Sequence, residues 1–131
     1  MLLGKVRQVL ARKGKTVYIA DTEGSPVAQA IAKELRDERF QVFFVKNIGV
    51  FKEYWAKQPA DYIVMEYQQH AIAAETLIKE IRACTSVPLI VYTYSGMDFK
   101  EKSLAAGASL YLGKPQSPTA VVTALRGLEM K

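Results

Sequence analysis

The sequence predicts an α/β fold: a doubly wound, five-stranded parallel sheet in the order 2-1-3-4-5, packed against five helices, with one extra helix at the N-terminus. Three observations predict it. Five short runs rich in β-branched and aromatic residues alternate with five helical patterns. The runs are apolar almost throughout, without in/out alternation, so both faces of the sheet must be covered. Parallel strands joined through helices cross over right-handedly, which leaves few ways to wind five such units.

The first run is TVYIA (16–20). After DTEGSP comes a helical pattern with Val27, Ile31 and Leu35 on one face, Ser25 as N-cap and Pro26 at the first helical position. QVFFV (41–45) is the second run, and NIGVFKEYWAKQ reads as a short helix with Phe51 and Trp55 sharing a face. YIVM (62–65) is the third strand; AIAAETLIKEIRAC follows with Ala74, Leu77, Ile78 and Ile81 facing inward. PLIVY (88–92) is the fourth, followed by a helix within MDFKEKSLAAGA that ends near Gly107. SLYL (109–112) is the fifth, and Pro118 opens a last helix whose apolar side is Val121, Val122, Leu125 and Leu128. No repeat, low-complexity run or Pro/Gly/Ser linker interrupts this order.

Residues 1–14 form a basic amphipathic segment with Leu2, Leu3, Val6, Val9 and Leu10 on one side, expected to be a helix that docks on the domain or pairs with a partner, ahead of one that lies on a membrane surface. Residues 15–131 make up the domain itself. The chain has 131 residues, half of them hydrophobic and 24% charged, as in one ordinary soluble domain. Its single cysteine, Cys84, excludes an internal disulfide and fits a reducing compartment; it reads as a small apolar residue at a helix end rather than a reactive thiol. No apolar run approaches the about 20 residues of a membrane span. The N-terminus lacks the apolar core and cleavage site of a signal peptide, so a cytoplasmic location is expected. Part of the net charge of +5 is local: Lys5, Arg7, Arg12, Lys13 and Lys15 all precede the first acid, Asp21. Elsewhere the two signs interleave, with no aromatic residues set in a basic stripe. A solvated helix face explains this better than a nucleic-acid surface.

In a sheet wound this way, function collects beyond the carboxyl ends of the strands. Strand one is followed by Asp21, Thr22 and Glu23, strand three by Glu66, Tyr67 and Gln68, strand four by Thr93, Tyr94 and Ser95, and strand five by Gly113, Lys114 and Pro115. Acid, acid, hydroxyl and amine are thus aimed at one crevice.

The stretches VYIADTEG, PADYIVMEYQ, VPLIVYTYSG and GASLYLGKP resemble the receiver domain of two-component response regulators, a flavodoxin-like fold, over residues 16 to 128. The last stretch is the most specific: Gly107, Ala108, Tyr111, Lys114 and Pro115 all match the family's final-strand motif. By this resemblance Thr93 takes the position of the switch hydroxyl, Tyr111 that of the rotating aromatic, and Lys114 that of the phosphate-sensing amine.

Four departures bear on function. The phosphoaccepting aspartate is replaced by Glu66, and one of the two Mg²⁺-holding acids by Ala20, leaving Asp21. Tyr94 stands where a small residue is usual, and His70 where proline is usual. Glutamate reaches roughly an ångström further than aspartate, and such a misplacement can cost on the order of 100-fold in rate. Mg²⁺ requires near-ideal octahedral oxygen geometry, so losing a carboxylate weakens its site to a vestige of Asp21, Glu66 and Gln68.

The resemblance therefore implies a degenerate, phosphorylation-independent receiver without catalytic turnover. It requires no cofactor and binds Mg²⁺ at most weakly. It would meet a protein partner, or a second copy of itself, through the face of the fourth helix, fifth strand and fifth helix. In this reading Glu66 pairs with Lys114, either as a structural ion pair or as a standing mimic of the phosphorylated state. His70, the only histidine, reads as a loop residue. Two alternatives remain: a conventional, phosphorylatable receiver that tolerates glutamate, and a haloacid-dehalogenase-like phosphatase in which Asp21 of DTEGS attacks phosphate. The second lacks the later acidic pair and has no room for a cap. A flavin-type binder is disfavoured because Asp21 and Glu23 would repel a phosphate.

Overall fold

The computed structural model describes residues 15–21, 25–67, 74–93, 98–113 and 117–129. Its elements are β1 (Thr16–Ala20), α1 (Pro26–Asp37), β2 (Gln41–Phe44), α2 (Ile48–Lys57), β3 (Tyr62–Glu66), α3 (Ala74–Cys84), β4 (Leu89–Tyr92), α4 (Lys100–Ala106), β5 (Leu110–Leu112) and α5 (Pro118–Glu129). The strands form one sheet in the order β2-β1-β3-β4-β5, with every neighbouring pair parallel. This is the doubly wound order that the sequence predicts.

Both faces of the sheet are covered. One layer is built from Val17, Ile19, Val64, Ile90 and Tyr92 packed against Ile31 and Leu35 of α1 and Val121, Val122 and Leu125 of α5. The other holds Tyr18, Ile63, Met65, Leu89 and Val91 against Phe51 of α2, Ile78 and Ile81 of α3 and Ala106 of α4. β1, β3 and β4 are buried along their whole length, which is why their sequences show no alternation.

Local signals set the helix ends. The Ser25 hydroxyl accepts from the Ala28 N–H at 3.2 Å, with Pro26 opening α1. Asn47 caps α2 through Oδ1, which accepts from the Val50 N–H at 2.8 Å. Phe51 and Trp55 do share a face of α2, their rings stacked at 5.3 Å. α4 stops at Gly107, whose φ of +127° suits glycine.

The differences from expectation are small. β2 ends at Phe44 rather than Val45, although the Val45 N–H still donates to the Ile19 carbonyl at 3.0 Å. β3 runs one residue further than YIVM and takes in Glu66. Cys84 is indeed the last residue of α3, but it is exposed rather than packed, because the inward stripe of that helix ends at Ile81. The predicted N-terminal helix (1–14) lies outside the described residues. Among the described residues no helix is long and apolar enough to cross a membrane.

Candidate functional site

Because all five strands are parallel, their carboxyl ends share one edge of the sheet. Asp21 follows β1, Glu66 ends β3 and Thr93 follows β4; all three are buried, Asp21 and Glu66 at 1% exposure. Buried carboxylates are costly unless they are partnered. For Asp21 a partner is at hand: the Tyr92 phenol donates to its Oδ2 at 2.6 Å, inside the protein. Tyr92 is the last residue of β4 and the register partner of Glu66 on β3. β3 lies between β1 and β4, so the Tyr92 side chain spans the end of the strand that carries Glu66.

A second set of contacts leaves β3 at the next residue. The Tyr67 ring stacks on Phe99 at 4.1 Å with 16° between planes, and its hydroxyl donates to Glu75 Oε1 of α3 at 3.1 Å. Burial first, and then the bond to Glu75, raise the Tyr67 phenol above its ordinary pKa. Phe99 is the N-cap residue of α4 and has no side chain that can cap. Its backbone N–H instead donates to the Tyr111 hydroxyl at 3.0 Å. Tyr111 is half-buried and packs on the α2–α3–α4 side of the core. The end of β3 is thus joined through Tyr67 and Phe99 to the start of α4 and to β5. Thr93 is wholly buried, and its backbone N–H donates to the Leu112 carbonyl at 3.3 Å.

Of the residues expected at the site, Asp21, Glu66 and Thr93 sit at the predicted strand ends, and Tyr111 lies across β4 opposite Val91. Lys114 and Gln68 lie outside the described residues, as do Thr22, Glu23, His70 and Tyr94; so does the expected Glu66–Lys114 pair. The described acids, Asp21 and Glu66, do not by themselves make a ready cation site. Among the described residues no three Asp, Glu, His or Cys side chains gather as metal ligands do, and one oxygen of Asp21 already accepts from Tyr92.

The model of the response regulator receiver domain matches residues 17–126. This chain belongs to that family. Its fold is similar to that of a two-component response regulator from Clostridium difficile (20% identity, 89% of this chain and 97% of the other, TM-score 0.77). It is likewise similar to a response regulator from Thermotoga maritima (21%, 89% and 98%, 0.73). A third similar structure is the BeF3-activated N-terminal receiver domain of RstA from Klebsiella pneumoniae (24%, 86% and 95%, 0.69). No curated protein matches the chain in sequence. The chain is therefore a receiver domain of two-component signalling.

Two residues of this receiver's site, Tyr92 and Phe99, carry no local mark in the sequence, and Tyr67 was marked only as one of the residues that follow the third strand. Tyr92 looked like one more apolar strand residue. The usable signal was its hydroxyl: a phenol in a fully buried strand must find an acceptor, and the only acids at the strand ends are Asp21, Glu23 and Glu66.

Proposed function

We propose that this receiver is a phosphorylation-independent protein-interaction module of a two-component or phosphorelay pathway. The observation that carries this reading is the buried Glu66, the last residue of β3, in the phosphoacceptor's position. Phosphoryl transfer is mostly positioning and charge neutralisation. A carboxylate one methylene too long, in a crevice with one metal-holding acid replaced by Ala20, supplies neither. No cofactor is needed, and Mg²⁺ binds at most weakly through Asp21 and Glu66.

Signalling then passes by contact. The face of α4, β5 and α5 carries exposed Lys100, Glu101 and Lys102 beside half-buried Tyr111, a mixture of charge and aromatic surface suited to a protein partner or a second copy. The Tyr67–Phe99–Tyr111 contacts supply a path from the end of β3 to that face. The phosphatase alternative rests on 21–25, of which 22–24 lie outside the described residues, and nothing else favours it.

Mass spectrometry after incubation with a small phosphodonor and Mg²⁺ tests the reading. The expected spectrum is that of the unmodified chain. A stable adduct with the mass of one phosphoryl group would establish a conventional receiver instead. In the same preparation, Glu66→Ala tests whether the glutamate biases the contact face. A changed partner affinity or Tyr111 environment supports a standing mimic; no change in either makes Glu66 purely structural.

A further inference from the structure

Tyr92 is 1% exposed and its ring belongs to the layer under α1 and α5, yet its hydroxyl leaves that apolar layer for Asp21. At 2.6 Å the contact is in the range of an O–H donor on a carboxylate, the stronger class of hydrogen bond. Its geometry is constrained from both sides. On β4, the Tyr92 carbonyl accepts from the Tyr67 N–H at 2.9 Å, which fixes the backbone against the end of β3. On β1, Ala20 pairs with Met65, which fixes the residue before Asp21 against the same strand. The phenol therefore reaches from β4 to β1 across β3, whose last residue is Glu66.

A cation shared by Asp21 and Glu66 would have to sit where β1 and β3 end together. That is the space the phenol crosses. We propose that Tyr92 is a built-in occupant of the cation position. Its hydroxyl competes with a divalent metal for Asp21, and its ring ties β1 to β4 over β3 in the metal's place. This inference rests on the reading of Asp21 and Glu66 as the receiver's remaining acid pair. It adds the residue that keeps Mg²⁺ binding weak.

Mg²⁺ demands near-octahedral oxygen geometry and gives up its waters reluctantly, so a carboxylate oxygen held by a short hydrogen bond is a poor ligand. Removing the donor alone should release it. The test is a titration of the full chain with Mn²⁺, free ion read by electron paramagnetic resonance, and with Mg²⁺ as competitor. Tyr92→Phe removes only the hydroxyl. Tyr92→Met is a second variant that fills the same layer with a flexible apolar chain, should the first fold poorly.

The expected result is Mn²⁺ binding at least tenfold tighter in both variants than in the unsubstituted chain, abolished when Asp21→Asn is added. Equal binding with and without the hydroxyl overturns the proposal, as does a tightening that survives Asp21→Asn. The unsubstituted chain gives an independent arm. At saturating Mg²⁺ the phenol must leave Asp21, which changes the tyrosine ultraviolet difference spectrum; saturation with no such change also overturns it. The two readings fail separately. A phosphoryl adduct on the unsubstituted chain sinks the account of Glu66 and leaves the competition at Asp21 measurable. Tight metal binding with Tyr92 in place sinks the competition and leaves Glu66 too long to accept.

Discussion

Arg82, near the end of α3, offers a sharp test of how this receiver is held together. Its Nε donates to the Gly107 carbonyl at 2.6 Å, and Nη1 to the carbonyls of Val87 at 2.5 Å and Thr85 at 3.4 Å. Its Nη2 donates to the Ser109 hydroxyl at 2.9 Å, which in turn accepts from the Leu89 N–H at 3.0 Å. One guanidinium thus joins the end of α3 to the starts of β4 and β5, at the edge of the sheet opposite the acidic crevice. Burial lowers its pKa, the mark of a cation partly removed from water. A hydrogen bond from a charged donor contributes about 1.5–3 kcal/mol, and the bonds of one side chain do not add in full. Arg82→Ala should therefore cost about 3 kcal/mol. For a domain of this length that lowers Tm by roughly 10 °C, at about 3–4 °C per kcal/mol. Arg82→Lys should recover less than half, because a point ammonium cannot span acceptors on both sides of the fork. Urea and thermal denaturation followed by circular dichroism measure both. A loss under ~1 kcal/mol for the alanine variant, or full recovery by lysine, would refute the account.

Three further outcomes follow from the same structure. A Cβ at Gly107 would lie 2.7 Å from Arg82 Cγ at a φ of +127°, so Gly107→Ala should destabilise through both contact and backbone. In an Arg82→Ala background only the backbone part should remain, and a double-mutant cycle in urea separates the two. Tyr18 is wholly buried and donates to the Gln58 carbonyl at 2.5 Å; burial, then the neighbouring Tyr54, pushes its phenol up to about 12. Its folded-state pKa lies above the unfolded value of 10.0, so its contribution to stability is complete below pH 10.0 and is lost as pH rises through about 12. Ultraviolet titration should show a tyrosine step near pH 12, and Tyr18→Phe should remove it. Phe99→Ala removes the ring stacked on Tyr67 and should cost about 1 kcal/mol or more while shifting the Tyr111 ring resonances in NMR; unchanged Tyr111 resonances would show that the stack does not reach that face.

The fold was legible because each element announces itself locally. Ser25–Pro26 and Gly107 mark helix ends by capping chemistry and backbone freedom, and both lie where those rules place them. The buried strands were legible from lost alternation, which reports two covered faces directly. The boundary errors, at Val45, Glu66, Pro88 and Ser109, fall where a strand fades into a loop and one hydrogen bond decides the assignment. The placement of Asp21, Glu66 and Thr93 was legible because a parallel sheet delivers all its strand ends to one edge, whereas Tyr111, inside β5, was marked only by the family resemblance. The Tyr92–Asp21 bond was not, because the partners are 71 residues apart and only the strand order brings them within reach. The Tyr67–Phe99 stack depends likewise on where the chain before α4 settles, which no local pattern encodes.

Residue parity then sorts the site into two halves. Along β4, Ile90 and Tyr92 face the α1–α5 layer, while Leu89 and Val91 face the opposite layer. Alternation puts Glu66, which follows Met65, on the same side as Tyr92, and the Tyr92 bond draws Asp21 to that side as well. Tyr111 belongs to the other layer, with Tyr67 and α4. Asp21, Glu66 and the Tyr92 phenol thus lie on one side of the sheet, and the Tyr67–Phe99–Tyr111 contacts lie on the other. Among the described residues, Glu66–Tyr67 on β3 and Tyr92–Thr93 after β4 step from one side to the other, so a change in the acid pair has a route across the sheet through these two dipeptides. On the proposed phosphorylation-independent reading, a signal follows this route when a partner at the proposed α4–β5–α5 face favours one setting of Tyr111 over another.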